Sequence, residues 1–203
     1  MQLVLATNNE DKIREIRDLL DDLPVTIMTR DDFLEFPDVE ETGATLEENA
    51  ILKAKTIAEF CDLPALADDS GLEVDALNGA PGVHSSRYAG ENVTYADNNR
   101  KLLTELQDLP HEKRTAKFRC VIAVCWGGDD VETVEGAAEG FIAEETEGQS
   151  GFGYDPVFYY PPSDKRFSQM TLEEKNVVSH RGKALQDIRV VIMDRINKQR
   201  GLG

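Results

Sequence analysis

The sequence predicts an α/β fold with a mixed sheet, and three stretches carry that prediction. Residues 2–6 form an apolar run followed by a polar turn and by helix-spaced apolar residues from Ile13, which is typical of a strand, a turn and a helix. Residues 64–67 form a second apolar run that ends in two adjacent aspartates. Residues 116–126, rich in Phe, Val and Ile, predict a central strand.

Length and charge limit the classes of function. The 203 residues are expected to form one domain over 1–203. The net charge of −17 argues against a nucleic-acid or anionic-membrane partner, because such binding needs clustered Lys and Arg. No apolar run approaches the ~20 residues of a membrane span, and the N-terminal run lacks the basic start of a signal peptide. We therefore expect a cytoplasmic protein.

The first predicted helix follows a polar turn of Thr7, Asn8 and Asn9. These side chains can cap the helix, and the N–H groups at a helix start form an anion site. Lys12 lies in the first turn, where the helix dipole disfavours a cation. A nearby anion would explain that position, although an exposed lysine is the simpler reading of Lys12 taken alone.

The second helix is predicted from Thr45, which forms a capping-box pattern with Glu48, through an apolar stripe that ends at Cys61. Before it, residues 25–28 predict a short strand and residues 29–43 an acidic, solvated loop. Lys53 lies on the apolar stripe. Because a buried ammonium needs a partner, the pattern predicts that Lys53 has one.

The acid pair Asp68-Asp69 follows the second apolar run directly. Carboxylates at the C-terminal end of a strand lie where open α/β sheets bind ligands, and their hard oxygens suit Mg²⁺. A solvated turn explains the pair equally well, because Asp, Ser and Gly are ordinary turn residues.

The second half of the chain continues with a helix over residues 97–107 and a hairpin whose second strand covers 131–144, which adds an antiparallel element. Phe152 then stands between two glycines, which lets the backbone approach a flat ligand while the ring stacks on it. The alternative is a tight turn with Phe152 as a core plug.

Basic residues gather at the start of the last helix. Thr171 and Glu174 form a capping box that opens a short helix containing Lys175, and the last helix begins at His180 and Arg181. Because cations at a helix N-terminus oppose the dipole, this cluster favours an anionic ligand.

Basic groups in three segments, paired acids and a glycine-flanked aromatic together indicate a flat, phosphorylated ligand, such as a nucleotide. Six motifs, in order and across nearly the whole chain, resemble those of the inosine/xanthosine triphosphate pyrophosphatase family: Thr7-Asn8-Asn9 with Lys12, Glu41-Thr42-Gly43, Glu48-Asn49-Ala50 with Lys53-Ala54, Asp68-Asp69-Ser70-Gly71-Leu72, Phe152-Gly153-Tyr154-Asp155-Pro156 and Ser179-His180-Arg181.

The resemblance implies an elongated, mixed, twisted sheet flanked by helices, with two lobes, a central active-site cleft, Mg²⁺ dependence and a homodimer. It implies that Glu41 and Asp69 hold the metal and that Asp69 or Asp68 positions or deprotonates the attacking water. The implied reaction hydrolyses ITP, dITP or XTP to the monophosphate and pyrophosphate, which keeps deaminated purines out of DNA and RNA.

The resemblance also implies how the substrate is held. Lys12, Lys53 and the 7–9 turn would grip the phosphates, Phe152 would stack on the base, and Asp155, His180 and Arg181 would read its edge. Arg181 only donates, so it suits a 6-oxo group and not the 6-amino group of adenine. The implied substrate-binding set is Thr7, Asn8, Asn9, Lys12, Lys53, Ser70, Phe152, Gly153, Tyr154, Asp155, Lys175, His180 and Arg181.

Two other functions fit parts of the pattern. A pyrophosphatase of the related Maf type would prefer other bases. A nucleotide-binding regulator would use the same pocket without turnover, although two carboxylates facing a polyphosphate gain nothing unless a metal is present. A purely structural protein would not need buried basic groups.

Overall fold

The computed structural model describes residues 1–148 and 150–201. The strands are β1 (Gln2–Leu5), β2 (Thr26–Met28), β3 (Ala65–Val74), β4 (Pro81–Gly82), β5 (Thr115–Gly127), β6 (Asp130–Ile142), β7 (Phe158–Tyr160) and β8 (Lys165–Arg166). The helices are α1 (Glu10–Leu20), α2 (Leu46–Cys61), α3 (Tyr95–Leu106), α4 (Leu172–Val178) and α5 (His180–Gln199). Within the described residues, no helix is long and apolar enough to cross a membrane.

The strands form a mixed sheet in the order β2-β1-β3-β5-β6-β7-β8, with β4 paired to β3. Strand β1 runs parallel to both β2 and β3, and Leu5 pairs with Leu66 in the second of these ladders. The pairs β3–β4, β6–β7 and β7–β8 are antiparallel. The predicted α/β fold with a mixed sheet is therefore confirmed, whereas the central cleft stays a prediction.

The chain divides into two compact units. Unit 1 comprises residues 1–69, 120–136 and the chain from Arg181 onward. Its core is made of aliphatic side chains from β1, β3 and β5 together with α1 and α5, which explains the apolar spacing of both helices. Among these, Leu3, Ile16, Ile122 and Ile188 are fully buried.

Unit 2 comprises residues 70–119 and 137–180. Its core combines leucines of α3 with buried aromatic rings, among them those of Phe118, Phe158 and Phe167. The ring of Phe158 lies 4.7 Å from that of Phe118 and 4.8 Å from that of Phe167, centroid to centroid. Strands β3, β5 and β6 contribute residues to both units. A single domain over residues 1–203 stays a prediction.

The predicted helix starts are mostly confirmed. Asn9 caps α1 by accepting from the N–H groups of Asp11 and Lys12, and the Thr171–Glu174 capping box opens α4. Thr45 caps α2 through the N–H of Glu48, but the Glu48 carboxylate accepts from Ala44, so only half of that box forms. Helix α3 begins at Tyr95 and not at residue 97, because Thr94 and Asp97 form a capping box of their own.

Candidate active site

The acid pair Asp68-Asp69 lies inside β3, which continues to Val74. Both side chains are buried, at 1% and 5% exposure. The reading of this pair as a solvated turn is therefore wrong. Because isolated carboxylates are too costly to bury, each needs a nearby cation, and unit 1 supplies them.

Asp68 is held by two cations. Lys12 Nζ lies 3.1 Å from its Oδ1, while Arg181 Nε and Nη2 lie 3.1 and 3.0 Å from its Oδ2. Burial acts to raise the pKa of Asp68, but the charges of Lys12 and Arg181 outweigh it and hold the pKa well below its usual range. Asp68 therefore stays ionised, and the exposed-lysine reading of Lys12 is wrong.

Arg181 has a second acidic partner that the sequence did not reveal. Its Nη1 lies 2.5 Å from Glu15 Oε2 on α1, and both side chains are almost fully buried. The structure thus gives Arg181 the role of counter-charge to Asp68 and Glu15. Its predicted contact with the base stays a prediction.

Lys53 joins the two predicted metal ligands. Its Nζ lies 2.6 Å from Asp69 Oδ1, 2.8 Å from Glu41 Oε1 and 2.9 Å from the Asp68 carbonyl oxygen. The prediction that Lys53 has a partner is confirmed, and its partners are two carboxylates. Burial raises the pKa of Asp69 to about 6, since the nearby charge of Glu41 adds to burial and the Lys53 ammonium only partly offsets it. A carboxylate with such a pKa is well suited to accept a proton near neutral pH.

The donor set at Glu41 and Asp69 fits a magnesium ion. Mg²⁺ is commonly held by one or two carboxylates together with substrate phosphates. Both carboxylates contact one ammonium, so their oxygens lie close together. Within residues 1–148 and 150–201, no group of three or more His, Cys, Asp or Glu side chains is placed to hold a metal. The protein would therefore supply two carboxylates, and phosphate oxygens would complete the shell.

The turn before α1 lies in the same unit. Thr7 Oγ1 accepts from the N–H of Asn9, at 3.2 Å, and Asn9 Oδ1 caps the helix. Asn8 Nδ2 donates to Asp38 Oδ1, at 3.2 Å. These bonds fix the turn at the helix start, where backbone N–H groups can meet an anion.

Unit 2 contains Phe152, Asp155 and Lys175, three of the predicted substrate-binding residues. Lys175 Nζ lies 2.6 Å from Asp155 Oδ2 and 4.7 Å from the centroid of the Phe152 ring. The Phe152 N–H also donates to Asp155 Oδ2, at 2.9 Å. Phe152 is half-buried and lies outside the apolar core of unit 2, so the core-plug reading is wrong.

The neighbours of Phe152 are firmly held. Asn99 Nδ2 donates to the Gly153 carbonyl at 2.9 Å, and the Tyr154 hydroxyl donates to the Ser85 carbonyl at 2.9 Å.

Two other predicted substrate-binding residues are His180 and Ser70. The His180 ring stacks on Phe118 with centroids 4.5 Å apart and an angle of 6° between the ring planes. Ser70, also half-buried, follows Asp69 in β3.

Sequence reasoning missed Glu15 and Tyr95, and it named Asn49 in a motif without giving it a role. Tyr95 is 43% exposed, and its ring centroid lies 6.1 Å from that of Phe152. Its only local signal is the capping-box pattern around it, which marks a helix start but says nothing of a neighbouring ring. Asn49 bonds to the amide of Gly43 and to Asp69.

Comparisons with known proteins identify the family of this chain. The Ham1 family model matches residues 3–191. The dITP/XTP pyrophosphatase of Geobacter sulfurreducens is 52% identical over 184 residues, 91% of this chain and 92% of that protein. The dITP/XTP pyrophosphatase of Desulforamulus reducens is 50% identical over 186 residues, 92% of each.

A solved structure has the same fold. The HAM1 protein from Coxiella burnetii superposes with a TM-score of 0.88 at 45% identity, and the match covers 96% of this chain and 99% of that one. The family resemblance seen in the motifs is therefore confirmed. By its sequence and by its fold, the chain belongs to the Ham1 family.

Proposed function

We propose that this chain is a nucleoside triphosphate pyrophosphatase that hydrolyses ITP, dITP and XTP to the monophosphate and pyrophosphate. The relatives that are 52% and 50% identical carry the name dITP/XTP pyrophosphatase. The structural observation that carries the proposal is the Lys53 ammonium, bonded to both Glu41 and Asp69. In this arrangement, an ammonium that can bind phosphate lies next to two carboxylates that can bind a metal ion.

Under this proposal, Glu41 and Asp69 hold Mg²⁺. When bound there, the ion stabilises charge that develops on the phosphates. Asp69 accepts the proton of the attacking water. Asp68 is fixed as an anion by Lys12 and Arg181, so it positions those cations and does not act as the base.

The cations of unit 1 bind the phosphates. Lys53, Lys12 and the Thr7-Asn8-Asn9 turn offer donors to phosphate oxygens, and their positive charge stabilises the pyrophosphate as it leaves. Ser70 follows Asp69 directly and contributes to the same binding. The attack on the α-phosphorus breaks its bond to the bridging oxygen, so pyrophosphate is the leaving group.

The purine base is bound by Phe152 and the residues around it. Phe152 stacks on the purine, Lys175 holds Asp155 and Phe152 in place, and the backbone at Gly153 and Tyr154 shapes the pocket. His180, Asp155 and Arg181 read the edge of the base. For Arg181 this requires exchanging one of its bonds to Asp68 or Glu15 for a bond to the 6-oxo group.

Product analysis tests this function. The protein and Mg²⁺ are incubated separately with ITP, XTP, GTP, ATP and a panel of pyrimidine triphosphates, and the monophosphate, diphosphate, phosphate and pyrophosphate are resolved. We expect monophosphate and pyrophosphate from ITP and XTP and little product from ATP. Diphosphate and phosphate, or binding without turnover, would contradict the proposal, and preferential cleavage of pyrimidine triphosphates would favour the Maf-type alternative.

We further propose that the chain acts in the cytoplasm as a homodimer and removes deaminated purine nucleotides before polymerases use them. Light scattering coupled to size-exclusion chromatography tests the dimer. The mutation rate of cells lacking the protein tests the role in cleansing the nucleotide pool.

A further inference from the structure

Asn49 bonds to Asp69, one of the predicted metal ligands, and to Gly43, which lies two residues after the other ligand, Glu41. It is on α2, four residues before Lys53, so both side chains lie on one face of the helix. Its Oδ1 accepts from the Gly43 N–H at 2.8 Å, and its Nδ2 donates to Asp69 Oδ2 at 3.5 Å. The Asn49 side chain is buried, at 1% exposure.

The contact with Gly43 is close. A Cβ atom at Gly43 would lie 2.7 Å from Asn49 Oδ1 and 2.7 Å from Glu48 Cβ. The backbone two residues after Glu41 therefore lies directly against α2. The bond from the Gly43 N–H holds it there, which limits where Glu41 can place its carboxylate.

Helix α2 also holds both oxygens of Asp69. Lys53 donates to Oδ1 and Asn49 donates to Oδ2. An amide can accept from one group and donate to another, whereas a carboxylate accepts only and an ammonium donates only. Asparagine is therefore suited to bond the Gly43 amide and the Asp69 carboxylate at the same time.

We propose that Asn49 is a positioning residue that sets the spacing between the carboxylates of Glu41 and Asp69. The inference rests on the proposed function, in which these two carboxylates hold Mg²⁺. Losing an outer partner of a ligating carboxylate typically weakens metal binding by about 10- to 100-fold. We expect a loss of that size for Asn49 variants, with little effect on binding of the base.

The experiment measures metal binding directly. Free Mn²⁺ is titrated with protein and followed by electron paramagnetic resonance for the wild type, Asn49→Ala and Asn49→Leu, the second of which keeps the side-chain volume. Gly43→Ala is an independent variant, because its added Cβ crowds the Asn49 amide. All three should bind Mn²⁺ about 10- to 100-fold more weakly than the wild type.

Asn98→Ala is the matched control. Asn98 is equally buried, and its amide accepts from the Ala89 N–H at 2.7 Å and donates to the Ser86 carbonyl at 3.0 Å in unit 2. It should lose thermal stability but bind Mn²⁺ like the wild type. Equal weakening by Asn98→Ala would show a general effect of lost stability and overturn the inference.

The outcomes separate the inference from the proposed function. Folded Asn49 variants that bind Mn²⁺ within twofold of the wild type would overturn the positioning role alone, provided that the wild type binds Mn²⁺ and needs Mg²⁺ for turnover. A wild type that binds no Mn²⁺ and cleaves ITP without divalent metal would overturn the metal assignment itself, and the positioning role with it. Circular dichroism establishes that each variant is folded.

Discussion

Arg181 bonds to Asp68 Oδ2 through both Nε and Nη2, although 113 positions separate the two residues in the sequence. Both side chains are almost completely buried, and so is Glu15, the second partner of Arg181. A buried ion pair adds little net stability, but removing one member leaves a charge without compensation. Mutations can therefore distinguish a residue needed for stability, such as Asp68, from a neighbour needed for turnover, such as Asp69.

Asp68→Asn and Asp69→Asn should therefore behave differently. Asp68→Asn removes the anion that compensates Lys12 and Arg181, so we expect a loss of about 3–5 kcal/mol in the free energy of unfolding. Asp69→Asn should remain folded and lose at least about 100-fold in turnover, because it removes the proposed proton acceptor. Urea unfolding and product analysis measure the two effects. Near-normal turnover by folded Asp69→Asn would rule out its role as base and metal ligand.

Arg181→Lys keeps the positive charge next to Asp68 but loses the planar fork of donors. If Arg181 reads the 6-oxo group, the ratio of kcat/KM for ITP to that for ATP should fall by about tenfold or more, since an unpaired buried donor costs about 1–3 kcal/mol. Arg181→Ala should reduce the same ratio and also lower stability. An unchanged ratio in both variants would leave Arg181 only the role of counter-charge.

Lys53→Met removes the ammonium that Glu41 and Asp69 share. We expect KM for ITP to rise by about tenfold, with a much smaller effect on inhibition by inosine monophosphate, because under the proposed function the lost charge binds the phosphates that inosine monophosphate lacks. Lys55→Met is the control, since Lys55 pairs with the exposed Asp129. Equal weakening of triphosphate and monophosphate binding would argue against a phosphate contact.

Lys175→Met tests the buried pair of unit 2. It leaves Asp155 without its cation and Phe152 without the ammonium 4.7 Å from its ring centroid. The expected loss is about 3–5 kcal/mol in the free energy of unfolding. Lys55→Met again serves as control and should leave urea unfolding unchanged, because exposed ion pairs contribute little. A similar midpoint for both variants would show that the Lys175–Asp155 pair is not a structural requirement.

Comparing Gly151→Ala with Gly153→Ala distinguishes the cost of a steric clash with Asp155 from the cost of backbone strain. Both glycines have positive φ, +78° and +60°, so alanine is strained at either position. At Gly151 the new Cβ would also clash with Asp155 Oδ2, whereas at Gly153 it meets no atom of the described residues within 4 Å. Gly151→Ala should therefore have the lower urea midpoint. Equal midpoints would mean that Asp155 can move away from Gly151 without cost.

The sequence predicted those features that depend on local pattern. Lys53 could be assigned a partner because it interrupts an apolar stripe, and the caps at Asn9 and Thr171 follow from residue type and spacing. Strands β7 and β8 were not predicted, because three and two residues are too few to show alternation.

Features that depend on distant partners could not be predicted. The pair of Glu15 and Arg181 joins residues 166 positions apart, and no local pattern connects them. The same holds for the stacking of His180 on Phe118. Asp68 and Asp69 were expected at the end of a strand, but they lie within β3 because cations from α1, α2 and α5 compensate their charge.

Because Asn49 and Lys53 are four residues apart on α2, the length of the segment between them should be fixed. Each residue turns an α-helix by about 100°, so a single insertion between the two would rotate Lys53 away from the face that meets Asp69. Capping and hydrophobic packing elsewhere on α2 could not restore the phase of the helix. We therefore expect the part of α2 between Asn49 and Lys53 to tolerate substitutions of solvent-facing residues but no insertion or deletion.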